Sequence, residues 1–220
     1  MTSQGGFIRI CQKDSHCDIV LVQASIEHLP VADNSIDLIF TDPPYDRDSI
    51  HLYNWLAMEA ARVLKDGGFL LAMCGGMDLF EDMRLMAQYL NWFWNYEVFM
   101  ANVSTVIWPK RTVARNKPIV ALSNGDGMPR CNVLSGLNGG GNDKRFHHWG
   151  QDVESARYYI DCFSKEGDLV LDPFIGGGTT LVACELIGRQ GIGFDIDPTA
   201  LATTRLRLEN AEIPHQATFL

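Results

Sequence analysis

Asp42-Pro43-Pro44-Tyr45 closes an apolar run at residues 36–40 that reads as a buried parallel strand. Two prolines forbid ladder hydrogen bonds and fix the backbone. An acid, a free carbonyl and an aromatic ring are therefore held rigidly where the strand stops. In open α/β sheets that edge is where ligands bind. The set suits a flat base with an exocyclic amine. Asp42 accepts one N–H, the Pro43 carbonyl accepts the other, and Tyr45 stacks on the ring. A plain Pro-Pro turn after a strand accounts for the same residues without chemistry.

A second constellation lies far downstream. From Asp168 through Asp172, Pro173, Phe174 and Gly176-Gly177-Gly178 to Thr179-Thr180, the chain reads as strand, glycine turn and helix start. Glycine takes positive φ and lets a ligand approach the backbone closely. The helix that follows offers N-terminal amides and the positive end of its dipole. Another strand then ends in Asp195-Ile196-Asp197. An acid about 20 residues after a glycine turn is placed to bind a ribose diol. Asp195 is the expected ligand, with Asp197 close by.

The elements that must carry these groups follow from periodicity. Strands are expected at 18–22, 36–41, 68–74, 95–108 and 118–123, and helices at 49–64, 77–90, 152–163 and 199–210. Residues 110–117 read as a basic turn between two strands, and 124–146 as a mobile loop without periodicity. Parallel strands with helical crossovers imply a doubly wound sheet. For both motifs to form one site, the strands ending at Thr41 and Leu171 must be neighbours.

Composition bounds the rest. A chain of 220 residues, 46% hydrophobic, can bury the core of one compact domain. No apolar run reaches the roughly 18 residues of a membrane span, and the start lacks the pattern of a signal peptide. Six cysteines show no CxxC pair, which fits a reducing cytoplasm without structural disulfides. Cys11, His16 and Cys17 make only a fragment of a metal site, and His147-His148 is a pair without partners, so no metal is expected. Net charge is −9, yet residues 101–150 carry seven basic and two acidic side chains, a local excess of +5 that leaves −14 for the remainder. A local basic face, rather than the total, governs nucleic-acid affinity. Ordinary solvated surface charge is the alternative.

Taken together, the two motifs resemble the amino-methyltransferases of DNA, which move a methyl group from S-adenosyl-L-methionine to adenine N6 or cytosine N4. Their order, Pro-Pro motif first and glycine turn second, resembles the beta group of these enzymes. The likeness extends to residues 24–30, 33–37 and 62–69. It implies an α/β, Rossmann-like doubly wound methyltransferase sheet, mostly parallel with an antiparallel edge, in a single domain over 1–220. Asp42, Pro43, Pro44 and Tyr45 become the catalytic residues. The cofactor set implied is Ser25, Asp42, Asp172, Phe174, Gly176, Gly178, Thr179, Asp195 and Ile196, with Trp149 and Gln151 closing over it. Ser25 stands where many relatives carry an acid, and Asp152-Val153 replaces a usual Lys-Pro.

The same resemblance makes 108–148 a small target-recognition insertion. Lys110, Arg111, Arg115, Lys117, Lys144 and Arg145 would contact the phosphates of double-stranded DNA. So small a reader fits a short recognition site, relaxed specificity, or a second subunit such as the partner in a homodimer. Asp at position 42 favours adenine, because cytosine N4 enzymes of this kind more often carry Ser there. A cytosine N4 enzyme and a cofactor-binding non-catalytic subunit remain as alternatives. No nuclease motif is evident, which fits a stand-alone methylase in the cytoplasm of a bacterial or phage-infected cell.

Overall fold

The computed structural model describes residues 7–11, 17–100, 105–107, 110–139 and 153–210. In chain order its elements are β1 (Phe7–Cys11), β2 (Asp18–Gln23), β3 (Ile36–Thr41), α1 (His51–Val63), β4 (Leu64–Met73), α2 (Leu79–Met86), β5 (Asn91–Met100), β6 (Thr105–Ile107), β7 (Thr112–Ala114), β8 (Asn116–Ser123), β9 (Gly136–Gly139), α3 (Val153–Phe163), β10 (Leu169–Asp172), α4 (Thr179–Leu186), β11 (Gln190–Asp195) and α5 (Pro198–Glu209).

Nine strands form one sheet in the order β1-β2-β11-β10-β3-β4-β8-β5-β9. β2, β11, β10, β3 and β4 are parallel neighbours. β1 supplies an antiparallel edge, and β8 runs against both β4 and β5 inside the sheet. β10 and β11 come late in the chain but insert between β2 and β3. That insertion is the permutation made spatial. It creates a switch point at β10, whose neighbours lie in different halves of the sequence.

The core explains why β3 reads as an unbroken apolar run. Leu38 and Phe40 pack on one face with Leu71, Met73 and residues of α3, α4 and α5. Ile39 packs on the other with Leu70, Ala72 and the α1 residues Tyr53, Leu56, Ala57, Ala60 and Val63. A strand covered on both faces has no solvent side on which to place polar residues. Burial of an apolar side chain on either face stabilises by about 1.5–3 kcal/mol.

Four regions differ from the expectation. Residues 124–146 do not form one loop: Gly136–Gly139 is a strand, parallel to β5. The expected strand at 95–108 is two strands, β5 and β6. The basic stretch 110–117 is no simple turn, because β6 and β7 form a separate hairpin with Lys110 and Arg111 at its tip. α2 is shorter than expected, and its successors 87–89 are turns. Among the described residues no helix is long and apolar enough to cross a membrane.

Candidate functional site

β3 and β10 are parallel, with Val170 opposite Leu38 and Leu171 opposite Ile39. Both motif turns therefore leave the sheet at the same edge, from adjacent strands. The two are bonded directly: the Thr41 hydroxyl donates to Asp172 Oδ1 at 2.7 Å. Asp172 Oδ1 also accepts from the Phe174 amide at 3.1 Å. Asp172 is buried, and burial pushes its carboxyl up to about 6, against the lowering effect of hydrogen bonds from Thr180, Thr41 and Phe174.

The glycine turn is shaped largely by backbone. Gly176 donates its amide to Asp195 Oδ2 at 3.0 Å, and Asp195 Oδ1 accepts from the Asp197 amide at 2.9 Å. Gly178 has φ +78, and a Cβ there would lie 2.6 Å from Thr204 Cγ2. That position thus needs glycine for a turn packed against α5. Thr204 donates to the Gly176 carbonyl at 3.2 Å. Arg207, which the sequence reading missed, donates to the Gly177 carbonyl at 2.8 Å and to Thr179 Oγ1 at 3.0 Å. Thr179 is buried beneath this brace. The signal for Arg207 is its place on the buried face of α5, with Ala200, Leu201, Thr204 and Leu208.

The other residues expected to bind the cofactor gather beside this turn. The Ala24 amide donates to the Asp195 carbonyl at 3.2 Å, so Ser25 stands next to β11. Ser25 accepts from the Glu27 amide as the cap of a short 3₁₀ turn. Gln23 Nε2 donates to the Ile196 carbonyl at 3.2 Å. Ile196 is 72% exposed despite being apolar. Asp197 caps α5 by accepting from the Thr199 amide, which gives it a local structural task. A Cβ on Gly176 would meet nothing closer than the Phe174 carbonyl at 4.0 Å. An open glycine surface, a carboxylate with unused lone pairs and an exposed aliphatic side chain fit an adenosyl cofactor. Trp149 and Gln151 lie outside the described residues.

The Asp42-Pro43-Pro44-Tyr45 turn, the expected catalytic one, is held by side chains. Asp42 Oδ1 accepts from the Tyr45 hydroxyl, and Asp42 Oδ2 accepts from Lys117 Nζ at 2.7 Å. Lys117 Nζ also sits over the Tyr45 ring, 4.9 Å from its centroid. Pro43 is buried and Pro44 exposed. Behind the turn, Tyr45 lies against Gly75, where a Cβ would come within 3.1 Å of the Tyr45 Cβ.

The expected phosphate contacts divide. Lys110, Arg111 and Arg115 are exposed. A Cβ on Gly76 would lie 3.4 Å from Ile107 Cδ1, so the β6–β7 hairpin stands over the carboxyl end of β4 and flanks the catalytic turn. Lys117 instead is drawn in to Asp42, with its side chain only 14% exposed. Register explains this. Met73 at the end of β4 pairs with Ile119, so the start of β8 projects past β4 towards the turn. Lys144 and Arg145 lie outside the described residues. Of the suggested metal fragments, His16, His147 and His148 lie outside them as well, as does the Cys11 side chain. Among the described residues no cluster of three or more His, Cys, Asp or Glu could hold an ion.

Comparison with known proteins gives concordant matches. Residues 126–205 match the N6/N4 family model described as DNA methylase, and residues 4–72 match a general methyltransferase domain. The chain is 26% identical over 219 residues to the type II methyltransferase M.HpaI of Haemophilus parainfluenzae, covering 81% of this chain and 69% of that protein. In fold it is similar to a DNA modification methylase of Thermus thermophilus, solved with S-adenosyl-L-methionine, at TM-score 0.71 and 17% identity over 88% of this chain and 94% of that one. It is similar also to the cytosine-N4-specific PvuII DNA methyltransferase, at TM-score 0.76 and 15% identity over 90% and 89%.

Proposed function

We propose that this chain is an S-adenosylmethionine-dependent DNA methylase of the N6-adenine and N4-cytosine family and that its target is adenine N6. The observation that carries this reading is Asp42 at the end of β3, one strand from the glycine turn and tied to it through Thr41 and Asp172. An aspartate there, rather than a serine, favours adenine over cytosine.

The exocyclic amine is a weak nucleophile because its lone pair is delocalised into the ring. Hydrogen bonds from its two protons to Asp42 and the Pro43 carbonyl favour a pyramidal nitrogen with a localised lone pair. Asp42 then faces the positive charge that develops on nitrogen, an electrostatic effect preorganised by the rigid turn. Tyr45 holds the base by stacking, a contact worth about 1–3 kcal/mol. A base inside a duplex cannot reach this turn, so it is flipped out. S-adenosyl-L-methionine supplies the electrophilic methyl group. Asp195 takes its ribose hydroxyls, Ile196 packs on its adenine, and Phe174 and Gly176 line its methionine end. Lys110, Arg111 and Arg115 contact the DNA backbone beside the turn, in the cytoplasm of a bacterial or phage-infected cell.

The reading is tested by incubating the protein with unmethylated DNA and S-adenosyl-L-methionine, digesting the DNA and separating nucleosides by mass spectrometry. N6-methyladenine is expected. N4-methylcytosine would keep the mechanism and change the base. No methylated base, with cofactor binding intact, would overturn the reading in favour of a non-catalytic subunit.

A further inference from the structure

We propose that Lys117 occupies the place of the target base in the DNA-free enzyme, and withdraws from it when a base enters. The proposal rests on the reading of Asp42 and Tyr45 as the groups that receive the amine and the ring. A target base needs one oxygen of Asp42 and one face of Tyr45. The Lys117 ammonium takes both, at 2.7 Å from Asp42 Oδ2 and 4.9 Å from the Tyr45 centroid. Gly75 packs against the Cβ and the near ring edge of the tyrosine from the sheet. The ammonium thus stands over a ring face that a stacked base would use. Chemically it is a good stand-in, since it presents N–H donors and a positive charge, as does the amine nitrogen during methylation.

Lys117 is also placed to leave. It is the first charged residue of β8, two positions after exposed Arg115, on the strand that follows the basic hairpin. A duplex lying across Lys110, Arg111 and Arg115 would bring phosphates near the start of β8. A phosphate can then replace Asp42 as the partner of the same ammonium. Binding of DNA would therefore uncover Asp42 and the ring together. Without DNA, the pair keeps the carboxylate matched and the tyrosine face covered. Lys117 acts here as a positioning residue, through Asp42 and Tyr45.

The test compares the wild type with Lys117→Met and Lys117→Arg on a duplex carrying 2-aminopurine at the methylated position, once product mapping has located it. Lys117→Met should raise 2-aminopurine emission about twofold or more at saturating protein, because base entry no longer competes with the ammonium. On the unmodified duplex its KM for DNA should rise by a larger factor than its kcat falls, and the salt dependence of binding should lose about one unit of slope. Lys117→Arg should restore the KM and the slope. A kcat at least tenfold lower with unchanged emission would make Lys117 a fixed partner of Asp42 and overturn the proposal. If Lys117→Met fails to fold, the wild type decides. The ¹⁵Nζ signal of Lys117, assigned by its loss in Lys117→Arg, should shift on adding duplex, and an unshifted signal would overturn the proposal. A wild type that methylates no base sinks the underlying reading instead, which the product analysis reports separately.

Discussion

The two acid-bearing turns lie one strand apart and are built in opposite ways. At the catalytic turn, Asp42 meets the Tyr45 hydroxyl and the Lys117 ammonium, both on side chains that can rotate. At the cofactor turn, Asp172 and Asp195 meet the amides of Phe174, Gly176 and Asp197. α5 then braces that turn through Thr204 and Arg207. The difference fits the task proposed for each turn. A flipped base arrives from a duplex and needs partners that can give way. A small cofactor needs a cradle whose shape exists before binding, so that little ordering is left to offset on association. Solvent-facing side-chain contacts suit the first task, and backbone amides backed by buried Thr41, Thr204 and Arg207 suit the second.

The largest effect expected from this contrast is at Asp42. Asp42→Ala removes the acceptor for the amine but touches no part of the glycine turn. Single-turnover methylation should fall by about a thousandfold or more, in line with the loss of an electrostatic group aimed at the transition state. Affinity for S-adenosyl-L-methionine, read by calorimetry, should fall far less than the methylation rate. Activity that survived would mean the turn with rotatable partners is not the reactive one.

Asp195→Ala probes the other side. It removes the acceptor for the ribose and also the staple between β11 and Gly176. Hydrogen bonds to a charged acceptor are worth about 1.5–3 kcal/mol each, so cofactor affinity should drop about 10- to 100-fold. Saturating cofactor should recover most of kcat, since Asp42 and Tyr45 are untouched. An unchanged calorimetric affinity would remove Asp195 from the site and dissolve the contrast.

The contrast also sorts what could be read from the chain. The parallel core was legible because strands buried on both faces read as apolar runs, as in Ile36–Thr41 and Leu169–Asp172. Both turns were legible because proline and glycine mark backbone geometry locally. β9 was not, since Gly136–Gly139 has no side-chain alternation and becomes a strand only by pairing with β5, about 40 positions earlier. The β6–β7 hairpin was hidden because its strands are only three residues long and leave their paired Val106 and Val113 exposed rather than in the core. Lys117 was read as a phosphate contact from its basic neighbours. Its partner lies 75 positions away, brought close only by the antiparallel register of β8 on β4. Arg207 and Thr204 were missed because buried polar residues on a helix announce themselves only when the opposing carbonyls are known.

The smallest effect tests whether the cofactor turn is as fixed and dry as its bonds indicate. Burial raises the Asp172 carboxyl from 3.8 to about 6. Between those values the folded protein holds a proton that the unfolded chain has released. The contribution of this group to stability is therefore full below about pH 4 and is lost as pH rises through about 6. Asp172→Asn cannot titrate. The difference in unfolding free energy between variant and wild type should move in the variant's favour by about 2–3 kcal/mol from pH 4 to pH 7, read by urea denaturation at steps of pH. Asp82 and Glu185, also raised by burial, to about 7 each, titrate in both proteins and cancel in that difference. A flat difference would mean that water or a mobile partner reaches Asp172. The cofactor turn would then be as adaptable as the catalytic one, and the division of labour between the two strands would have to be sought in the ligands rather than in the fold.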